Sequence, residues 1–282
     1  MSASSFDLAM PDLAPEMPNR LSGFVVQQDD VCRVEKATVS QALNVWPGEA
    51  PTRLRAGLQD LLEGRRPSYN GSPPAPVGTV EFCRAWMSAC RVHEPHPLDF
   101  PEALRAACGR RVECLASYDD APDGCWVKPV RTKAWEAHRK GLCPPPGDGH
   151  PDQPVWATEH LALQAEWRVY VLHGYAVGIG RYDDGPDQLD VFEETALAWA
   201  QRTASLWASK STTPSAYALD VAFTQDCRWV LVEVTDAWAI GYYRGTCSPL
   251  DYSRMLMARW EDILRGHPKI AAESQPTKQG VV

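Results

Sequence analysis

The stretch from Glu166 to Tyr182, EWRVYVLHGYAVGIGRY, constrains the fold more than any other part of the chain: two alternating runs meet at the dipeptide His173-Gly174. A two-residue loop fixes hairpin register. Leu172 then lies opposite Tyr175, Ile179 opposite Arg168, and Arg181 opposite Glu166. The period of two places Glu166, Arg168 and Arg181 on one face. A charged ribbon face is either solvated and carries a weak cross-strand Glu–Arg pair, or it is one wall of a site.

A second hairpin is legible in AYALDVAF and RWVLVEVT, flanking TQDC. A four-residue loop, Gln225 to Arg228, pairs Asp220 directly with Glu233. Like charges on one rung destabilise a sheet, so the pair requires a divalent cation between the carboxylates, a solvent-facing position, or an arginine partner. Asp236, just past the strand end, adds a third acid. On an earlier strand, CWVKP, Lys128 is either an edge gatekeeper or a ligand-binding cation. Together these groups could hold a nucleoside triphosphate with Mg²⁺, cations on the phosphates and carboxylates on the metal.

Around these hairpins the pattern predicts a loose N-terminal arm, a strand at GFVVQ, and an amphipathic helix TRLRAGLQDLLEGRR capped by Thr52, with Leu54, Leu58, Leu61 and Leu62 as its stripe. The stretch PSYNGSPPAPVG reads as a loop and TVEFC as a strand. FPEALRAACG carries Pro101 early and Gly109 past its end, as a short helix does. RRVECLASY and VWATEHLAL read as strands. LDVFEETALAWAQRTASLWASK, residues 189–210, keeps the 3.6 period in Phe192, Ala196, Trp199, Thr203, Leu206 and Trp207, and Ser248-Pro249 starts a last helix. The polar tail, 266–282, reads as disordered.

A net charge of -8 argues against non-specific binding to nucleic acid or acidic membranes. No run of apolar residues reaches membrane-spanning length. Nine cysteines without a C-x-x-C pair, and an N-terminus without an apolar core, fit a reduced, cytoplasmic protein. Cys90, His93 and His96 are closely spaced but lack a second ligand pair for zinc.

The run from PHPLDFPEALRAACGRRVE through CWVKPVRTKAW, the first hairpin, and AYALDVAFTQDCRWVLVEVTDAWAIGYY resembles the ATP-grasp clade named for two arginines and one lysine, over about residues 95 to 245. The resemblance implies an α+β (α/β) class, with an ATP-grasp fold of two α+β lobes enclosing ATP. Its expected division is an N-terminal α/β region at 1–115 and the ATP-grasp domain at 116–265. It makes Arg168 and Arg181 the catalytic arginines and Lys128 the phosphate-binding lysine, with Lys133 as a second phosphate contact. The segment Val155 to Glu159 becomes the adenine hinge, with Trp156 and Glu159 as contacts, and Glu166 orients an arginine. Asp220, Glu233 and Asp236 become metal-binding acids, with Thr235 where many relatives carry Asn. DAWAIGYY becomes the acceptor-facing loop.

The implied chemistry is ATP-dependent ligation of a carboxylate to an amine through an acylphosphate, with ATP and Mg²⁺ as cofactors. The implied partners are small-molecule or peptide carboxylates and amines, with no nucleic acid. The alternative is an ATP-binding regulatory or scaffold module without ligation.

Overall fold

The computed structural model describes residues 23–142, 152–181, 183, 192–243 and 245–266; the N-terminal arm and the C-terminal tail lie outside them. Among the described residues three sheets carry the fold. β1 (Gly23–Gln27) is buried along its whole length and sits between β2 (Thr52–Ala56) and β3 (Ala75–Val77), both parallel to it. Helices α1 (Arg33–Asn44), α2 (Leu58–Leu62) and α3 (Val80–Ala89) belong to this layer.

Two readings of this region change. Thr52 to Ala56 is a strand, and the helix begins only at Leu58, after Gly57. A fully buried β1 needs ladder partners on both sides, and that tertiary demand overrides the helical spacing of the leucines. Residues 80–89 form a helix where a strand is expected from TVEFC: Thr79 caps it by accepting from the Phe82 amide at 3.2 Å, and Phe82, Cys83, Trp86 and Met87 bury one stripe. The Pro-rich loop also contributes β3, whose Ala75, Pro76 and Val77 lie opposite Phe24, Val25 and Val26.

The second sheet has the order β4-β7-β5-β6, from β4 (Val112–Leu115), β5 (Trp126–Pro129), β6 (His138–Arg139) and β7 (Val155–Thr158). Because β4 pairs with β7, this sheet begins before residue 116. The third has the order β11-β10-β8-β9, from β8 (Leu163–Leu172), β9 (Tyr175–Arg181), β10 (Ala216–Thr224) and β11 (Trp229–Asp236).

One face of the third sheet presents Trp167, Val169 and Leu219 to a core shared with α4 (Glu193–Ala208). The other presents Tyr170 and Ala218 to a core shared with α5 (Pro249–Leu264) and the first layer. Ser248 caps α5 as expected, accepting from the Asp251 amide at 3.0 Å. No described helix is long and apolar enough to cross a membrane.

Candidate functional site

Both hairpins form, but each contains a bulge. In the first, His173 (φ 51°) and Gly174 (φ 82°) make the two-residue turn, and Leu172 pairs with Tyr175 as expected. Val177 is then extra. The ladder resumes with Tyr170 opposite Gly178, so Arg168 faces Gly180 and Arg181 faces Trp167 instead of Glu166. One inserted residue turns Arg181 to the face opposite Arg168. Arg181 is engaged by Asp183, through Nε at 3.1 Å and Nη2 at 2.7 Å, and the Glu166 amide donates to that same aspartate at 2.5 Å. The expected common face of Glu166, Arg168 and Arg181 is thereby corrected to Glu166 and Arg168.

In the second hairpin two departures cancel. Phe223 pairs with Trp229, leaving a five-residue loop, and Val232 is bulged out; Asp220 therefore still faces Glu233. The acids share a rung but not a ligand. Arg168 lies on the neighbouring rung position and donates to Asp220 through Nε at 2.7 Å and Nη2 at 2.6 Å. Thr235 completes the group, 3.3 Å from Asp220 and 3.4 Å from Arg168. Asp220 is fully buried; burial pushes its carboxyl up from the ordinary range, and the guanidinium opposes that.

Glu233 pairs with Lys128 at 2.5 Å, a contact that joins the second and third sheets. Lys128 also donates to Asp99 at 2.6 Å. Burial acts to lower the Lys128 pKa, but Glu233 and Asp99 overcome it and hold the ammonium above its usual value. Asp99 is 7% exposed, and burial pushes its carboxyl up while Lys128 pulls it down. Its other oxygen accepts from Trp156 Nε1 at 3.1 Å, and Trp156 lies opposite Lys128 in the β5–β7 ladder.

Asp236 is elsewhere. It lies opposite Tyr217, and Arg259 of α5 holds both its oxygens at 2.8 and 2.7 Å, both residues buried. Among the described residues no cluster of three metal-ligating side chains occurs, so Asp220, Glu233 and Asp236 do not form one cage. Cys90 instead lies by Tyr69, at 3.6 Å.

The expected adenine hinge is largely strand. Val155 to Thr158 is paired on both sides, to β4 and β5, which commits its backbone to ladders. Glu159 carries on that pairing: its amide donates to the Arg111 carbonyl, and its carboxylate accepts from the Arg111 amide at 3.0 Å. Beyond it, His160 Nδ1 accepts from Trp126 Nε1 at 2.9 Å and the Ala162 carbonyl accepts from the Gln225 amide at 2.9 Å.

Lys133 (φ 52°) donates to the carbonyl of Ala239 at 3.1 Å, tying its loop to the segment after β11. That segment is also held by Tyr170, whose hydroxyl donates to the Gly241 carbonyl and accepts from the Tyr243 amide, each at 3.1 Å. Arg168 lies 5.4 Å from the Tyr243 ring, and Glu35 of α1 accepts from the Tyr242 amide at 3.1 Å. Asp99, Tyr170 and Glu35 were not signalled as site residues by the sequence pattern, whereas Tyr243 lies in the expected acceptor-facing loop. Asp99 has a positive φ of 30°, a conformation that asparagine and aspartate adopt more readily than most residues, but an isolated aspartate in the sequence does not announce it.

The model of an ATP-grasp domain family, the third family of the clade named for two arginines and one lysine, matches residues 66–263. No curated protein matches the sequence. Among solved structures, the ATP-grasp ligase PsnB, complexed with precursor peptide PsnA2 and AMPPNP, aligns at 14% identity over 87% of this chain and 99% of its own, with a TM-score of 0.41. D-alanine–D-alanine ligase from Bacillus anthracis aligns at 12% over 86% and 97%, TM-score 0.46. N5-carboxyaminoimidazole ribonucleotide synthetase from Thermotoga maritima aligns at 10% over 83% and 75%, TM-score 0.44.

Proposed function

The chain belongs to the ATP-grasp proteins of the two-arginine, one-lysine clade, in its third family, and from that premise we propose that it is an ATP-dependent carboxylate–amine ligase acting through an acylphosphate. The observation that carries this reading is the Lys128–Glu233 contact between the two sheets, backed by the Arg168–Asp220 pair on the same side. A cation and a carboxylate from opposite walls meet where phosphate and metal would lie.

The residues suit Mg²⁺ bound with its nucleotide better than a resident metal cage. Mg²⁺ takes one or two carboxylates plus substrate phosphates, and Glu233, with its side chain 28% exposed, can supply one. Asp220 has both oxygens committed to Arg168, so it serves as the counter-ion that aims the arginine. When bound, Mg²⁺ would neutralise developing phosphate charge.

In this reading Lys128 holds the transferring phosphate. Arg168, fixed by Asp220, Thr235 and the Tyr243 ring, stabilises charge on the phosphoryl group and on the acyl oxygen. The loop from Ala239 to Tyr243 excludes water and presents the amine, held by Lys133, Tyr170 and Glu35. Arg181, paired with Asp183 on the Trp167 rung, is left out of the phosphate grip.

The test is ADP release from ATP and Mg²⁺ in the presence of pooled amino acids, small carboxylic acids and peptides, for the native chain and for Lys128→Ala and Glu233→Ala. Substrate-stimulated release lost in both variants supports ligation. Nucleotide binding without turnover in any pool supports the regulatory module instead.

A further inference from the structure

β11 is an edge strand of the third sheet, and a buried edge left without partners is unstable. In this chain the segment Asp99–Arg110 covers it. The Asp99 carbonyl accepts from the Val234 amide at 2.8 Å, and Arg110 Nη2 donates to the Val232 carbonyl at 2.8 Å. These bonds grip the residues immediately before and after Glu233. Val232 is also the bulged residue whose insertion returns Glu233 to the rung of Asp220.

The approach between the two is close. At Gly109 (φ 60°), an added Cβ would lie 2.9 Å from Val230 Cγ1, and the Gly109 carbonyl accepts from Arg228 at 3.3 Å. Arg110 is half-buried with Glu166 and Glu233 as acidic neighbours, and its Nε is buried without a hydrogen-bond partner. A buried polar atom without a partner is uncommon in a folded protein and calls for an explanation.

We infer that Arg110 is a positioning residue for Glu233: it holds the Val232 bulge that aims the carboxylate into the nucleotide cleft. The inference rests on the ligase reading above, since it presumes that Glu233 meets the metal of a metal–nucleotide complex. Arg110 acts through the strand backbone and touches neither nucleotide nor metal.

The sign of one measurement separates this role from that of a bystander charge. ADP affinity is measured calorimetrically with Mn²⁺ and again with a chelator, for the native chain, Arg110→Met and Arg110→Lys. Loss of a support to a metal ligand costs about 10–100-fold in metal affinity. The gain in ADP affinity from Mn²⁺ should therefore fall by about tenfold in Arg110→Met, with affinity in chelator unchanged, and recover in part in Arg110→Lys, whose ammonium can still donate to the carbonyl.

If Arg110 only added positive charge near the metal, its removal would leave that gain unchanged or raise it, and either result overturns the inference. A native chain with no Mn²⁺-dependent gain removes the site itself, and the role of Arg110 with it. A loss of ADP affinity equal with and without metal, in both variants, would mean a general disturbance and overturns it too.

Discussion

Arg168 and Asp220 form a two-pronged ion pair across adjacent strands, with Asp220 fully buried and Arg168 9% exposed. Removing one partner of such a pair leaves an uncompensated buried charge, which costs about 3–5 kcal/mol. Arg168→Ala is therefore expected to lose stability as well as turnover, so its inactivity alone would not assign a catalytic role. The double variant Arg168→Met/Asp220→Leu, which replaces the pair with apolar groups, should regain most of the stability in urea unfolding while remaining without ADP release. A double variant that regains turnover would remove Arg168 from the chemistry.

Lys128 sits between Asp99 and Glu233, and its removal should alter how stability depends on pH. Burial raises the Asp99 pKa and Lys128 holds it down. In Lys128→Met, burial and the Glu233 charge raise it, opposed only by the Trp156 hydrogen bond, the smallest of these influences. A carboxyl whose folded pKa exceeds its unfolded value of 3.8 takes up a proton on folding; the associated stability is present below that value and lost as pH rises through the folded pKa. The destabilisation caused by Lys128→Met should consequently grow from pH 4 to pH 8 in urea melts. A pH-independent cost would mean that Asp99 does not depend on Lys128 for its charge.

The strands that build the site were legible because period-two alternation and turn chemistry are local. The two bulges were not, because a bulge is a property of two strands and the elements beside them. Glycines 178 and 180 within β9 were a usable sign, since glycine inside a strand marks a bulge or a close approach. Continuing the register of the turn without that bulge puts Arg181 on the wrong face. The Asp220–Glu233 rung was reached through a loop one residue too short and a bulge not foreseen, which offset each other.

The partners that quench the acids, Arg168 for Asp220 and Arg259 for Asp236, come from positions 52 and 23 residues away. No spacing rule links such pairs. Asp99 illustrates the same limit, for its neighbours Lys128, Trp156 and Val234 belong to three different strands. In the N-terminal layer, the reading of 52–66 as one helix failed because the burial of β1 decides what its neighbours become.

The two β9 glycines should respond differently to a methyl group. A Cβ at Gly178 would lie 2.4 Å from the Thr246 backbone carbonyl, whereas one at Gly180 would meet the Thr246 side-chain methyl at 1.8 Å. Overpacking of this kind costs about 1–3 kcal/mol. Thr246→Ser removes that methyl and keeps the hydroxyl that donates to the Tyr243 carbonyl at 2.5 Å. It should restore part of the urea midpoint of Gly180→Ala, since Thr246 Cβ would still lie 2.6 Å from the added methyl, and leave that of Gly178→Ala low. Equal rescue of both would show that the loop after Tyr243 yields as a unit, and that its register against β9 is not fixed by backbone contact.

Glu233 and Asp236 are three residues apart, yet the structure separates their work. Glu233 meets Lys128 between the second and third sheets, while Asp236 closes an ion pair with Arg259 in the core. Glu233→Gln should abolish the Mg²⁺ dependence of nucleotide binding with little loss of stability, since its side chain is 28% exposed and its partner Lys128 keeps Asp99. Asp236→Ala should do the reverse. It strands Arg259 at 1% exposure, with Asp262 only at 3.9 Å in partial compensation, and so should cost about 3 kcal/mol, the low end for a broken buried pair. Its nucleotide affinity, measured well below its unfolding midpoint, should keep the native Mg²⁺ dependence. If Asp236→Ala instead loses that dependence while Glu233→Gln retains it, the metal lies on the α5 side of β11, and the cleft between the two sheets is not where the nucleotide binds.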